Sequence, residues 1–346
     1  MIHDFPLTEW FFYAVRWLYG ILGNSYFLTI LIVTLILRLI QVYPDIKSRQ
    51  TQQKQAALQP EIDKLKKKYA DNPQKLNQEQ NKLMKENGVG CIAGCLPMLL
   101  TLPLFFCFLA AFRFWGYEQT VKLTYETIEN PQLAQETYDS FKFLWITNIW
   151  QPDSGFAPVV TPASTVATYG GSTSACSCSG SSKSIGDLVL FHQGYTDLYG
   201  NKVSGEQIWN SFLENGLAEG EFGSDQMKLV QNEEAQKKYD ELMSVYKKGK
   251  NNGWFILPIL ATGFQFLMAW IGQRQTKKQN PNAAQQPGMN AMMYMFPVMS
   301  LFICLSSTSA FSLYWVLSSV FQIISSTIIS RIMAKKAQNV GEITAK

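Results

Sequence analysis

Arg38 is the one charged side chain in an otherwise apolar stretch, residues 26–43. Thr34 precedes it by four positions and Gln41 follows it by three, so on a helix all three share a face. Two other apolar stretches repeat the pattern. Thr262 and Gln265 share one helical face, and Trp315, Ser318, Ser319, Gln322, Ser325 and Ser326 line another. A guanidinium among hydroxyls and amides performs no covalent chemistry; it attracts and solvates anions, carboxylates above all. Polar faces of this kind are costly against lipid, so they should turn toward one another or toward water. Two readings of Arg38 stand side by side: a long side chain snorkelling to the nearer surface, or a buried, hydrated cationic site. The serine face likewise reads as close helix packing or as a polar lining, and Gln322 in its middle fits packing alone less well.

Little else in the chain could do chemistry. The only histidines, His3 and His192, are far in sequence from Cys91 and Cys95, which argues against a zinc site. Cys107 and Cys304 fall inside apolar stretches, and a Cys176–Cys178 disulfide would close a tight ring. Ser179 and Lys183 lack the Ser-x-x-Lys spacing of a nucleophile and its base. No phosphate-binding loop is present, so neither a cofactor nor catalysis is expected.

The stretches that must position the polar faces are charge-free runs at 17–37, 92–112, 254–273 and 290–330. About 20 residues cross a hydrocarbon core roughly 30 Å thick, so the first three runs supply one span each. The 41 residues of the last supply two. The average hydropathy of −0.04 hides this, because the apolar residues are bunched. Charge then orients the chain. Residues 44–87 hold 10 basic and 6 acidic residues, 274–289 hold 3 basic and none acidic, and 331–346 hold 4 basic and 1 acidic. Residues 114–253 hold 10 basic and 17 acidic, a net of −7. The positive-inside rule puts the first three segments in the cytoplasm, and the N-terminus and 114–253 outside. Five spans satisfy that alternation.

The chain therefore reads as an all-α polytopic membrane protein. Residues 1–25 form an outer interfacial amphipathic helix, with no basic leading region of a signal peptide. The first transmembrane helix, 26–43, ends at Pro44. A helical hairpin, 44–88, is basic and too polar to span; Pro60 suits a first helical turn and Asp71-Asn72-Pro73 marks the bend. The second span is 91–113, the third 254–273, the fourth 290–308 and the fifth 311–331, with a cytoplasmic loop at 274–289 and a basic cytoplasmic tail at 332–346. In the outer region 114–253, residues 140–154 read as an interfacial segment and 160–184 as a flexible loop. Residues 226–249 read as a helix with Ala235, Tyr239, Leu242, Met243 and Tyr246 on one side.

The block LQPEIDKLKKKYADNPQKLNQEQNKLMKENGVGCIAGCLPMLLTLPLFF, residues 58–106, closely resembles the YidC family of membrane protein insertases. Glu86-Asn87-Gly88-Val89 and Gly94-Cys95-Leu96-Pro97 carry that likeness, with Gly90-Cys91 where the family often has Asn-Pro. LILRLI (35–40), FLWITNIWQPDS (143–154), WFILPILATGFQF (254–266), MMYMFPVMSLF (292–302) and LYWVLSSVFQII (313–324) follow in the family's order.

The resemblance implies five transmembrane helices around a polar groove, open to cytoplasm and lipid and closed outside. It places the functional arginine at Arg38, the polar residue of the third span at Gln265 and the aromatic of the last at Trp315. With Thr34, Gln41, Ser318 and Gln322 these make the candidate substrate-contacting set. The implied partners are nascent membrane proteins and the lipid bilayer of a bacterial plasma membrane, with a ribosome or Sec translocon as further candidates; no nucleic acid is read sequence-specifically. A channel or secondary transporter would also carry an intramembrane Arg, but no inverted repeat is visible. In one respect the chain departs from the family: about 98 residues, 155–252, separate Pro152-Asp153 from the third span. This extracytoplasmic insert shows no recognisable fold and is expected to be a removable accessory.

Overall fold

The computed structural model describes the backbone of residues 6–88, 91–169, 188–247, 251–279 and 287–344. Side chains are described from residue 10 to 332, save 52, 55–56, 91–104, 275–279 and 287–293 within those ranges. Cys91, Cys95, Cys176 and Cys178 lie outside the described side chains, as does most of the 160–184 loop.

The chain is mostly helical. In order it forms α1 (Pro6–Ile21), α2 (Tyr26–Lys68), α3 (Pro73–Glu86), α4 (Cys91–Glu129), α5 (Pro131–Ser140), α6 (Ala163–Val166) and α7 (Val189–Gln193). After these come the hairpin β1 (Tyr195–Thr196) and β2 (Lys202–Val203), α8 (Gly205–Glu214), and the hairpin β3 (Ala218–Glu219) and β4 (Lys228–Leu229). The chain then runs through α9 (Glu233–Met243), α10 (Ile256–Gln279), α11 (Pro287–Ser306) and α12 (Ser309–Thr344). Three helical stretches are long and apolar enough to cross a membrane: Tyr26–Thr51, Ile256–Arg274 and Ser309–Ile332. The other two expected spans fall on α4 and α11, partly on residues whose side chains are outside the described set.

Two boundaries differ from the sequence reading. Gly23 and Asn24 do break the chain ahead of α2, both with positive φ. Pro44, however, does not end the helix, and Pro60 does not start one; both lie inside α2. Each proline removes one backbone hydrogen bond and crowds the preceding turn, and α2 absorbs both without a break. The first arm of the hairpin is thus a continuation of the apolar helix. The bend follows at 69–72, where the Asn72 side chain accepts from the Lys75 amide and Pro73 opens α3.

Two compact units make up the chain. The first comprises Met1–Ile30, Cys107–Ile259 and Phe302–Leu313; the second comprises Leu31–Phe106, Leu260–Leu301 and Tyr314–Lys346.

In the first unit the insert, for which the sequence shows no recognisable fold, is folded and packed against α4. Its helices close around the far half of α4. Trp209, Phe212, Tyr239 and Met243 are fully buried. Glu118 on α4 accepts from the Leu190 amide at 2.8 Å, and Arg16 lies 3.5 Å from the same carboxylate. One and two turns on, Lys122 and Glu126 approach to 3.8 Å, and Tyr195 donates to Glu126 at 3.0 Å. Ser211 donates to Glu129, while Thr120 and Thr127 bond the hydroxyls of Thr161 and Tyr246. Helix α9 is shorter than the 226–249 expected, because Lys228–Leu229 pair as β4 and Asn232 caps the helix start, but it turns Ala235, Tyr239 and Met243 inward as the pattern predicted.

Segment 140–154 packs most of its length into the first unit: Ile146, Asn148, Ile149, Trp150 and Asp153 are buried, while Leu144 is exposed. It serves as an acceptor for two helix starts. Gln151 O takes the Ser309 amide at 2.9 Å and its hydroxyl at 2.6 Å, and Ile149 O takes the Ala310 amide. Asp153 takes the amides of Trp254, Phe255 and Leu257 at the start of α10, and the Trp145 indole. The first turn of a helix leaves amide donors without helical partners, so these bonds fix where α10 and α12 begin. Asn252 closes the arrangement. Its side-chain amide donates to the carbonyls of Asn148, Gln151 and Pro152 and accepts from the Asn148 amide. Gly253 is required beside it, because a Cβ there would sit 1.9 Å from the Asp153 carboxylate.

Deleting 156–251 should therefore strip partners from α4 along three turns, and the accessory expectation is revised. We expect the deleted protein to unfold more than about 10 °C below the parent in detergent, or not to fold. Asn252→Ala removes the partner of the Asn148 amide and of the Pro152 carbonyl and one donor each from Asn148 O and Gln151 O, and should cost about 1–3 kcal/mol. Asn252→Asp should be no better, since a carboxylate would face three carbonyls.

Glu118 and Glu126 also make a pH prediction. Burial pushes both carboxyls above the ordinary 4.5, against the opposing pull of Arg16 on the first and Lys122 on the second. A carboxyl raised in the folded state loses stability for the fold as pH climbs from 4.5 through the raised value. Glu126→Gln should flatten that decline, read as thermal midpoints between about pH 4.5 and 7.

Candidate functional site

The candidate residues all lie in the second unit. On α2 the polar face runs Thr34, Arg38, Gln41 and continues beyond the apolar stretch as Asp45, Ser48 and Arg49, since each step is three, four or seven residues. Thr34 and Ser48 are buried; Arg38, Gln41, Asp45 and Arg49 are half-buried. On α12 the matching face carries Trp315, Ser318, Ser319, Gln322, Ser325, Ser326 and Ser330.

The structure brings Arg38 and Ser318 together. The Arg38 Nε donates to Ser318 Oγ at 2.8 Å, and a terminal guanidinium nitrogen donates to the same oxygen. Among the described residues no carboxylate comes within ion-pair distance of Arg38. A charged group is therefore satisfied by a neutral hydroxyl, which leaves its charge available. Serine suits this position: it is small enough to let two helix backbones approach and accepts the guanidinium's hydrogen bonds.

A second arginine, not singled out in the sequence, repeats the arrangement. Arg49 donates to Ser326 and, at 3.1 Å, to Ser330. The serine face of α12 is thus used at both ends by arginines of α2. Eleven residues separate Arg38 from Arg49, three helical turns and about 16 Å. The signal was present in the sequence as the i, i+4, i+7 pattern extended past Pro44, and it was missed because Pro44 was taken as the helix end.

Trp315 is buried against Phe105 and Phe296, with ring centroids 4.9 and 6.2 Å away. Its position is that of a packing aromatic flanking the serine face. Gln41, Gln265 and Gln322 are half-buried, and among the described residues their side chains bond to no other member of the set. Thr262, on the face of Gln265, is buried with its hydroxyl unbonded. On the neighbouring turns of α10, Gln273 accepts from Tyr294 of α11 at 3.0 Å. Arrayed along α2 and α12 are two cations, one carboxylate, amides and hydroxyls, a set that can attract an anionic chain. Among the described residues no group of His, Cys, Asp or Glu could hold a metal ion.

Comparison with known proteins gives the chain a family. The family model described as 60Kd inner membrane protein matches residues 17–183 and 230–336, most of the chain. A protein of Clostridium perfringens named membrane protein insertase YidC is 38% identical over 144 residues, 41% of this chain and 52% of its own length. Proteins of the same name from Rickettsia felis and Rickettsia africae are 37% identical over 147 residues and 43% identical over 100. These cover 42% and 29% of this chain, and 23% and 18% of the relatives. The aligned stretch spans about half of the clostridial protein and about a fifth of the rickettsial ones.

Proposed function

This chain belongs to the 60Kd inner membrane protein family, and we propose that it is a membrane protein insertase and chaperone. The observation that carries the reading is Arg38. It is a guanidinium twelve residues into a helix apolar enough to span, bonded to a serine rather than to a carboxylate. An arginine at the centre of a spanning helix costs about 3 kcal/mol, which a retained function offsets.

In this reading five helices cross the membrane, as the charge distribution along the chain supports, with the N-terminus and 114–253 outside and the C-terminus in the cytoplasm. Thr34, Arg38, Gln41, Gln265, Ser318 and Gln322 line a hydrated groove, and Trp315 borders it. A nascent membrane protein presents its polar outer tail to the groove. Arg38 attracts carboxylates of that tail in surroundings of low dielectric, where a unit charge acts more strongly than in water. The water in the groove shortens the apolar distance the tail must cross. The tail slides outward while the following apolar segment partitions into lipid, which supplies the driving force without a nucleotide.

The helical hairpin beyond Pro44 is the cytoplasmic contact element in this scheme. None of the side chains of α3 is buried, so it offers its surface to a partner, a ribosome or a Sec translocon among the candidates.

Reconstitution tests the reading. The purified protein in liposomes should integrate a small single-span protein, scored by protease protection; movement of a small solute without integration would favour the transporter instead. Arg38→Ala should lower integration of acid-tailed substrates about tenfold or more while the protein stays folded, and Arg38→Lys should restore part of it, because a point charge still attracts carboxylates. Integration by Arg38→Ala at the parent rate would remove the arginine from the mechanism. In a background without native cysteines, Lys66→Cys and Lys202→Cys should label from opposite sides of the membrane.

A further inference from the structure

Between the two arginines of α2 stands a carboxylate. Asp45 lies seven residues past Arg38 and four before Arg49, on the same helical face. Along the axis that is about 10 Å from one and about 6 Å from the other. The electrostatic interactions of Asp45 are with these two arginines. An Asp–Arg pair at i, i+4 is a common way to stabilise a helix, but that use is not made here. Arg49 turns its guanidinium to Ser326 and Ser330. Among the described residues the Asp45 carboxylate makes no hydrogen bond or ion pair. It is half-buried beside Gln41 on its own helix, with the Gln322 amide of α12 falling in sequence between the serines that hold the two arginines. The polar face therefore carries two cations at its ends and, between them, one carboxylate that feels both but that no hydrogen bond or ion pair holds among the described residues.

We propose that Asp45 is a specificity-determining residue that stands in for a substrate carboxylate between Arg38 and Arg49 and so limits how many acidic groups a translocated tail can carry. This rests on the insertase reading. With Asp45 in place the face has a net charge of +1. A tail with one or two carboxylates gains from Arg38 and Arg49, and each further carboxylate meets the Asp45 charge in surroundings where screening is weak. Without Asp45 the net charge is +2, and longer acidic tails are tolerated. Arg49 becomes the second binding cation of the face, three turns from Arg38.

The test uses full-length protein in phosphatidylcholine liposomes and single-span substrates that differ only in the tail, with zero, two, four or six carboxylates. Asp45→Asn should raise integration of the four- and six-carboxylate tails about three- to tenfold and leave the neutral tail unchanged. Asp45→Glu, which keeps the charge, should follow the parent profile. Arg49→Gln should lower integration of the acidic tails. Identical tail-charge profiles for the parent and Asp45→Asn would overturn the proposal. So would a gain in Asp45→Asn equal for neutral and acidic tails, which would mark a packing effect. Failure of the parent to integrate even the neutral tail would instead overturn the insertase reading itself, and the two failures are thereby told apart.

Discussion

Helix starts carry amide donors that need acceptors, and in the first unit one short segment supplies them for two helices. Ile149 and Gln151 receive the amides of Ala310 and Ser309, and Asp153 receives those of Trp254, Phe255 and Leu257. Both recipients, α10 and α12, go on as stretches apolar enough to cross a membrane. In lipid no water can satisfy a stray amide, so where such a helix starts is worth fixing with buried bonds. The segment pays for this with irregular backbone of its own, and Asn252 and Asn148 satisfy its carbonyls in turn. The two ends of the insert, at Ser154 and Asn252, are thereby held beside each other.

That tie explains how nearly a hundred residues come to be accommodated at this point. The insert leaves the clasp at Asp153 and returns at Asn252, and within the first unit it wraps the far half of α4. The charged side chains there, Glu118, Lys122 and Glu126, are buried and paired with groups from the insert and from α1. Buried charge that loses its partner is costly, so the insert and the extension of α4 depend on one another. Being long and loop-rich did not make it an appendage.

The apolar stretches, their order and the polar faces were legible in the sequence because both depend on local composition and on a period of 3.6. The meeting of Arg38 with Ser318 was half-legible: each face was visible, their pairing was not, since period fixes a face and says nothing of which helix it meets. Arg49 was lost to a rule about proline that holds in water-exposed helix interiors and fails where a long helix is supported along its length. The clasp was least legible. Asn148, Asp153 and Asn252 are ordinary turn residues by type, and only contact across a hundred residues gives them their role. Family order supplied a hint, since the Pro-Asp and the third span are expected to be neighbours; the side-chain bonds are what that adjacency consists of.

The second unit shows a different economy of charge. In the first unit acidic side chains are matched by bases and amide donors, which fixes them in place. On α2 and α12 the arginines are matched by hydroxyls, and a hydroxyl satisfies hydrogen-bonding directions without neutralising charge. A guanidinium has five donors, and among the described residues the bonds donated by Arg38 go to one serine oxygen. Replacing the serines by carboxylates would hold the arginines more tightly and abolish their attraction for any other anion. The serines at 318, 326 and 330 thus hold the two arginines in position without themselves supplying a counter-charge.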